Sequence, residues 1–354
     1  MNVIKNLFSP KKRSRTISLL IVIIAYAILQ IMSSTHNISR LLMSLLVPVC
    51  AYITAAIGLN LNVGFSGELN LGQAGFMSIG AFTSVIIAGI FNANGIEGIP
   101  VLIVCIICGS IMAALIGWLI SVPVLKLQGD YLAIVTLAFG QIIMSLINNL
   151  YVGLDANGLH FAFVTNNMTL AEGGRMLISG PMGATGVRTV STLTAGAVLV
   201  IIALLIAYNL IDSKSGRAIT AARDNRIAAE SIGISISKTK TLAFVVSASL
   251  GGAAGALYAL NYSSFVAAKF DFNSSILLLV YVVLGGLGNM SGTIISTALL
   301  VVLPEMLRFL QSYRMLIYAI VLIAIMLISN NEKLKTKAEQ FRNKLGASKR
   351  KGAE

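Results

Sequence analysis

Long apolar segments recur along most of the chain, and they limit its possible folds more than any other feature. Of its 354 residues, 56% are hydrophobic and 11% are charged. A helix needs about 20 apolar residues to cross a hydrocarbon core about 30 Å thick. Transmembrane β-strands are shorter and alternate in polarity, so they do not fit these runs. The sequence therefore predicts an all-α polytopic membrane protein with about eight to ten transmembrane helices, some of them broken or re-entrant. The predicted spans lie near 17–32, 41–59, 74–91, 99–121, 131–150, 190–211, 241–260, 274–289, 293–310 and 313–329.

Three segments account for all of the excess positive charge. The net charge is +13, and residues 1–16, 212–240 and 330–354 carry +5, +3 and +5 of it. Because basic residues concentrate on the cytoplasmic side of a membrane, we expect a cytoplasmic N-terminus, a cytoplasmic loop and a cytoplasmic tail around a transmembrane domain at 17–329. The same parity places 151–189 outside, where it either receives an external partner or is a tolerated insertion. Attraction to anionic lipid explains the basic tail more simply than binding to nucleic acid.

The basic segment Asp212–Lys240 lies between two apolar runs and contains a predicted short helix. No Gly or Pro interrupts Arg217–Ile232, and Gly233 is placed to end the helix. Small residues fall on one side and charged residues on the other, with Glu230 four positions after Arg226. The small face would hold Ala218, Ala221, Ala222, Ala229 and Ile232, and the charged face Arg223, Arg226 and Glu230. A helix of this kind, held between membrane segments, suits docking onto another protein.

Two glycine-rich stretches, Gly58–Gly80 and Leu284–Gly292, interrupt the apolar runs, and the first also carries several amides. Irregular backbone at membrane depth is tolerated only where protein buries it or where it lines a cavity. Many transporters build a substrate path from such broken helices. We therefore hypothesise a translocation path at Asn60, Gly64, Gly67, Asn70, Gly72, Gln73, Gly75, Gly285, Gly286 and Gly288.

Other interpretations of these stretches remain open. The first could be a cytoplasmic loop followed by a closely packed helix, since Gly80, Ser84 and Ala88 form a small-residue ladder. Glu68 is expected to be a solvated loop carboxylate. The pair of runs at 274–310 could be two half-helices or one broken element.

Several kinds of chemistry have no residues to support them. No GxxxxGK[ST] motif occurs, so a nucleotide-binding loop of that type is excluded. The apolar centres of the spans between 17 and 260 contain no ionisable residue of the kind that proton- or voltage-coupled machines use. No catalytic cluster or metal-ligand set appears either. We expect a transport subunit without catalytic residues, metal or cofactor, whose energy source lies on another chain.

Five segments, in order along the chain, resemble the permease subunits of bacterial ABC importers for branched-chain amino acids, most closely the LivM type. They are GLNLNVGFSGELNLGQAGFMSIGAF at 58–82, LQGDYLAIVTLAFGQI at 127–142, SGRAITAARDNRIAAESIGI at 215–234, LAFVVSASLGGAAGALYA at 242–259, and VVLGGLGNMSGTI through LPEMLR at 282–308. The external region at 151–172 departs from the family pattern, since its glycine-containing motif is longer and differently spaced.

The resemblance implies a cytoplasmic helix that couples the permease to ATPases, with Ala228, Ala229, Glu230 and Gly233 matching the family signature. With the charged residues of the same segment, the expected coupling surface is Arg217, Arg223, Asp224, Arg226, Ala228, Ala229, Glu230 and Gly233. The implied partners are a second permease subunit, two ABC ATPase subunits, an external solute-binding protein and an amino-acid substrate, in a bacterial plasma membrane. Related permeases move urea or short amides. An autonomous secondary transporter or channel and a membrane-embedded enzyme are the competing classes.

Overall fold

The structure is a computed structural model that describes residues 10–34, 40–125, 127, 129–155, 158–164, 174–308 and 313–330. The chain divides into two compact units, 1–298 and 299–354. Most of the basic N-terminus (1–9) and nearly all of the basic tail (331–354) lie outside the described residues, so their predicted cytoplasmic location stays a prediction.

Ten apolar helices are present in the described residues, at positions close to the predicted spans. They are α1 (Pro10–Ser34), α2 (Arg40–Asn60), α3 (Gln73–Ala93), α4 (Ile99–Val124), α5 (Asp130–Asn148), α6 (Leu193–Asp212), α9 (Ile236–Ala259), α10 (Phe272–Gly285), α11 (Met290–Met306) and α12 (Arg314–Asn330). Two short polar helices, α7 (Lys214–Asp224) and α8 (Arg226–Ser231), follow α6. Eight helical segments of the described chain are long and apolar enough to cross a membrane, α2 and α10 counting with the helical turns that adjoin them. The prediction of an all-α polytopic membrane protein is confirmed.

Helix α9 lies at the centre of the first unit, where it packs against α2, α3 and α4. Its close approach to α3 depends on glycine, because a Cβ on Gly255 would come within 2.9 Å of the Met77 Cα. Gly80 of α3 meets the backbone of Gly252 in the same way. Small residues let helices approach closely where burial of apolar surface cannot drive association. The small-residue ladder of α3 is therefore a packing surface.

A small antiparallel sheet, which was not predicted, occupies the loop between α5 and α6. Its strands are β1 (Leu150–Asp155), β2 (Gly158–Phe163) and β3 (Arg175–Ser179), in the order β2-β1-β3. The signal that could have revealed it is the dipeptide Asn157-Gly158, which is typical of a hairpin turn when alternating residues flank it. The role of this loop towards an external partner stays a prediction.

Candidate translocation and coupling site

The first break joins α2 to α3 through a π-helical segment, Leu61–Ser66, and an irregular stretch at 67–72. A π-helix is rare and is frequently found at functional sites. Gly67 follows it with a φ of +73°, a conformation that favours glycine. Within this element only Gly67 and Leu69 are exposed. The break is therefore an ordered, largely buried part of the helix bundle.

Two buried amides hold the start of α3. The Gly72 backbone N–H donates to Asn70 Oδ1 at 2.8 Å. Gln73 Nε2 donates to the backbone oxygens of Ala55 and Ser247, at 3.3 and 3.1 Å. Both amide side chains are fully buried, where a polar group is stable only if it is hydrogen-bonded. The two Gln73 bonds join α3 to α2 and α9.

The second break, at 286–289 between α10 and α11, contacts the first. The Gly288 backbone N–H donates to Asn60 Oδ1 at 2.8 Å, and Asn60 Nδ2 donates to Thr293 Oγ1 at 2.8 Å. A Cβ on Gly64 would come within 2.9 Å of the Gly288 Cα, so a larger residue does not fit there. The two glycine-rich segments found separately in the sequence thus meet at one place.

The other predicted path glycines also lie at helix contacts. A Cβ on Gly72 or Gly75 would come within 2.5 or 2.9 Å of the α5 backbone, and a Cβ on Gly285 within 2.5 Å of the α11 backbone. Gly286 has more room, although its φ of +93° favours glycine. These residues are packed in this conformation, so their role in a path, which stays a prediction, requires the contacts to open.

Asn62 and Ser66 belong to the π-helical segment and were not among the predicted site residues. Both are buried, and within the described chain neither the Asn62 amide nor the Ser66 hydroxyl has a hydrogen-bond partner. A buried polar group left unpaired costs about 1–3 kcal/mol. Such groups are expected where internal water is held or where partners change between conformations. The density of asparagines between 60 and 70 was the signal that could have included Asn62.

Glu68 is not the solvated loop carboxylate that was expected from its position in the sequence. It forms an ion pair with Lys240 of α9, and the two side chains are only 11% and 15% exposed. The expectation was wrong because the partner lies 172 residues away along the chain. The pair attaches the first break to α9.

The expected single helix at Arg217–Ile232 is also wrong, because α7 and α8 are separate helices. Asn225 lies between them with an extended backbone, φ −152° and ψ 104°, and its Oδ1 accepts from the exposed Ala228 N–H at 3.0 Å. Asparagine is a favoured N-cap because its side chain replaces a missing backbone acceptor. It starts a new helix here even though no Gly or Pro interrupts the sequence.

The expected small-residue face of the α7–α8 pair is confirmed only in part, because Ala218 and Ala221 are half-buried. The buried residues are Gly216, Ile219, Ala222 and Ala229. Ala222 and Ala229 are 4% and 2% exposed and pack with Ile236. Ile232 was expected on this face but is 76% exposed, because α8 ends at Ser231 and the chain turns away. Ile227 is 78% exposed. Two large aliphatic side chains are therefore presented on a polar, charged segment.

Several of the predicted coupling residues make contacts within the segment Asp212–Lys240 itself. Arg226 Nε donates to Glu230 Oε1 at 3.2 Å, which is the contact that the four-residue spacing predicts. Arg217 Nη1 donates to the Asp212 backbone oxygen at 3.1 Å. Gly233 follows α8 with a φ of +84°, and its N–H donates to the Glu230 backbone oxygen at 3.0 Å. The predicted glycine end of the helix is confirmed.

Arg223 connects the α7–α8 pair to the first break. Its Nη1 donates to the Gly64 backbone oxygen at 2.9 Å. Its Nε and Nη2 donate to Asp224 Oδ1 at 2.9 and 2.8 Å, which fixes the plane of the guanidinium. A Cβ on Gly67 would come within 2.7 Å of the Arg223 Cγ. A predicted coupling residue therefore contacts two predicted path residues.

Membrane-length helices, a buried break that meets a second, partly exposed one, and an exposed helix pair bonded to the first are the features of a polytopic transport permease. The family model for the permease component of branched-chain amino acid transport systems matches residues 41–326, and the chain belongs to this family. It is of the LivM type, as the resemblance of its motifs implied.

The similar proteins include two high-affinity branched-chain amino acid transport system permease proteins LivM. The one from Escherichia coli is 33% identical over 308 residues, which cover 84% of this chain and 71% of the relative. The one from Salmonella typhimurium is 33% identical over 309 residues, with the same coverage. A probable branched-chain amino acid transport permease protein LivM from Methanocaldococcus jannaschii is 25% identical over 72% of this chain and 78% of the relative. No solved structure matches the chain.

Proposed function

We propose that the chain is the permease subunit of an ATP-driven ABC importer that moves branched-chain amino acids into the cytoplasm. Its family and the similarity to branched-chain amino acid transport permeases support the substrate class. The sequence has no Walker A motif, so ATP is hydrolysed on separate ATPase chains. The subunit itself is not an enzyme and needs no cofactor.

The observation that supports coupling most directly is the bond from Arg223 to the Gly64 carbonyl. One end of this connection is the α7–α8 segment, which has a charged surface and two exposed isoleucines, Ile227 and Ile232. Apolar side chains surrounded by charged ones are typical anchors of a protein interface. The other end is the π-helical break, which contacts the second break at Gly288. A displacement of α7 by a bound ATPase would therefore pull directly on the backbone of the proposed path.

The ion pair between Glu68 and Lys240 provides a second connection at the same place. Lys240 belongs to α9, the central helix, so Arg223 and Lys240 hold the break from two different elements. Movement of α7 relative to α9 would then distort the π-helical segment. The Asn62 amide lies within that segment and has no hydrogen-bond partner in the described chain. A rearrangement that brought it a partner would remove the cost of leaving a buried polar group unpaired.

The complete importer would contain a second permease subunit, two ABC ATPase subunits and an external solute-binding protein. It would lie in the bacterial inner membrane with both termini of this chain in the cytoplasm. The placement of excess basic charge at 1–16, 212–240 and 330–354 supports this orientation. The α7–α8 pair then faces the ATPases, and the basic tail faces lipid rather than nucleic acid.

The test is reconstitution of the chain with its co-purified partners in liposomes, followed by uptake of radiolabelled L-leucine with and without internal ATP. Uptake should require ATP and the ATPase chains, and unlabelled L-isoleucine or L-valine should compete. Competition by urea or acetamide instead would assign the related amide substrates. Uptake by this chain alone without ATP would identify an autonomous transporter or channel and refute the proposal.

Arg223→Gln tests the coupling route within the same preparation. ATPase chains should still co-purify and hydrolyse ATP, but leucine uptake per ATP should fall by at least tenfold. Lys214→Gln removes the same charge from the exposed first turn of α7 and should leave the ratio unchanged. Equal ratios for the two variants would show that the Arg223 bond does not transmit movement.

A further inference from the structure

The edge strand β2 of the small sheet carries large exposed apolar side chains at its end. Phe161, Phe163 and Val164 are 59%, 56% and 69% exposed. Single exposed apolar residues are ordinary, but a contiguous apolar patch marks an interaction with protein or membrane. Each aromatic ring offers about 150–250 Å² of surface that a partner can bury. Three such residues within four positions therefore indicate a partner for this strand.

The two phenylalanines lie on the face of the sheet that is turned towards the helices. Phe161 pairs directly with Val152 of β1, and Val152 pairs with Ile178 of β3. Directly paired residues lie on the same face of a sheet, and Val152 and Ile178 are fully buried. Leu154, on the same face, lines a cavity together with Val85 of α3. This face is covered by the bundle at β1 and β3, whereas at the edge strand β2 it is exposed.

The other face of β2 has a different character. Successive residues of a strand point to opposite faces, so Leu159, Phe161 and Phe163 share the face towards the helices, and Gly158, His160 and Ala162 share the face turned away. His160 Nε2 lies 3.0 Å from Asp155 Oδ1 on this second face. The strand is therefore amphipathic. Amphipathic segments with Phe or Leu on one side lie at the boundary between lipid and water.

The start of the sheet is joined directly to the end of a membrane-length helix. Strand β1 begins at Leu150, two residues after α5 ends at Asn148, and Leu150 pairs with Phe163. The Val164 N–H donates to the Asn149 backbone oxygen at 2.9 Å. The exposed end of β2 thus lies beside the last turn of α5.

The far side of the sheet reaches the same level on α3. A Cβ on Gly89 would come within 2.5 Å of Leu177 Cδ1, so β3 packs directly on this helix. Gly89 precedes the end of α3 at Ala93 by four residues, which is about 6 Å along a helix. The sheet therefore lies across the ends of two membrane-length helices and does not project far beyond them.

An exposed stripe on α5 leads to the end of β2. Its members are four residues apart, which places them on one side of the helix, and they are Ile134, Ala138, Ile142 and Leu146. Because α5 is long and apolar enough to cross a membrane, such a stripe suits contact with lipid. Leu146 lies in the last turn of α5, next to the residues that bond to β2. The apolar end of β2 is continuous with this surface.

We propose that Phe161, Phe163 and Val164 insert into the boundary between the headgroups and the acyl chains of one lipid leaflet. It is the leaflet opposite the α7–α8 pair, because the membrane-length helix α6 separates the sheet from that pair. The rings contact acyl chains, and the face with His160 points away from the membrane. The insertion holds the sheet flat across the ends of α3 and α5. It requires only that the helices cross a membrane, so it goes beyond the proposed transport function.

The experiment introduces the photocrosslinking amino acid p-benzoylphenylalanine at single positions of the full chain, produced with its partner subunits in its own membrane. It replaces Phe161, Phe163 or, on the opposite face of the same strand, Ala162. After irradiation, mass spectrometry of the purified chain measures phospholipid adducts, and gel electrophoresis detects crosslinks to other proteins. Lipid adducts at 161 and 163 should exceed those at 162 at least about fivefold, because neighbouring side chains of a strand face opposite ways.

Two positions on membrane helices serve as controls for the detection of lipid. They are Ile142 of the α5 stripe and Leu119, which is exposed on α4. The introduced residue is a phenylalanine derivative at exposed positions of β2, so the fold should be kept, and size-exclusion chromatography of each variant checks this.

Three results would overturn the proposal. Crosslinks from 161 and 163 to a protein would show that another subunit covers the strand. Absence of adducts there, while the control positions carry lipid, would place the rings in water. Equal lipid adducts at 161 and 162 would show that the strand has no face directed at the membrane. ATP-dependent leucine uptake by the same preparation is measured separately, so the proposed function stands or falls independently of these results.

Discussion

Removal of the positive charge of Lys240 tests how firmly the first break is attached to α9. Lys240 and Glu68 are paired, and their side chains are only 15% and 11% exposed. Loss of one partner from a buried ion pair leaves the other charge uncompensated and costs about 3–5 kcal/mol. Because both side chains keep a little exposure, we expect the lower end, about 3 kcal/mol. At about 2 °C per kcal/mol, as in larger domains, Lys240→Met should lower the unfolding midpoint by about 6 °C.

A thiol-reactive fluorescent dye measures this midpoint in detergent, because Cys105 is fully buried and becomes reactive when the helices separate. The double variant Glu68→Gln/Lys240→Met removes both charges of the pair and should recover most of the loss. Lys238→Met, at an exposed position of α9, is the matched control. The reasoning is refuted if Lys240→Met shifts the midpoint no more than Lys238→Met, or if the double variant is as unstable as the single one.

Three other substitutions test separate contacts. Asn225→Ala removes the N-cap of α8 and should cost about 1 kcal/mol, seen as faster amide exchange across α8; unchanged exchange would contradict the cap. Gly80→Val forces a side chain into the Gly252 backbone of α9 and should cost about 1–3 kcal/mol or more, with a matching fall in the dye-labelling midpoint. Asn60→Leu leaves the Gly288 N–H without its acceptor and should lower the free energy of unfolding by about 1–3 kcal/mol. An unchanged dye-labelling midpoint would show that the contact between the breaks does not stabilise the folded protein.

The positions of the membrane helices were predictable because hydrocarbon imposes one strict condition. Every backbone polar group in a lipid-exposed span must be satisfied within the span, so a long apolar run has essentially one structure available. The predicted runs at 41–59 and 99–121 correspond to Arg40–Asn60 and Ile99–Val124. Outside the hydrocarbon that condition is absent, and there the predictions failed: the sheet at 150–179 was missed, and the helix expected at 217–232 is broken at Asn225.

The candidate site was predictable only in part. Its residue types could be recognised because both breaks occur where glycine and asparagine cluster between apolar runs. The hydrogen-bond partners of these residues could not be recognised, since the bonds between Asn60 and Gly288 and between Arg223 and Gly64 join residues that are 228 and 159 positions apart. No local periodicity encodes such a contact. Asn62 was left out for the same reason, because its unpaired state depends on what surrounds it.

The sequence by itself determined that this chain is a polytopic helical membrane protein of the LivM-type permease family, because hydropathy and ordered motifs are properties of the chain alone. Only the tertiary structure decided that the two glycine-rich breaks touch, that Glu68 is buried with Lys240, and that Arg223 bonds to the π-helical segment. Those contacts depend on how close two helices come and which side chains then face each other. That distance is set by packing of the whole bundle, in which a single Cβ at Gly64 or Gly80 would already be too large.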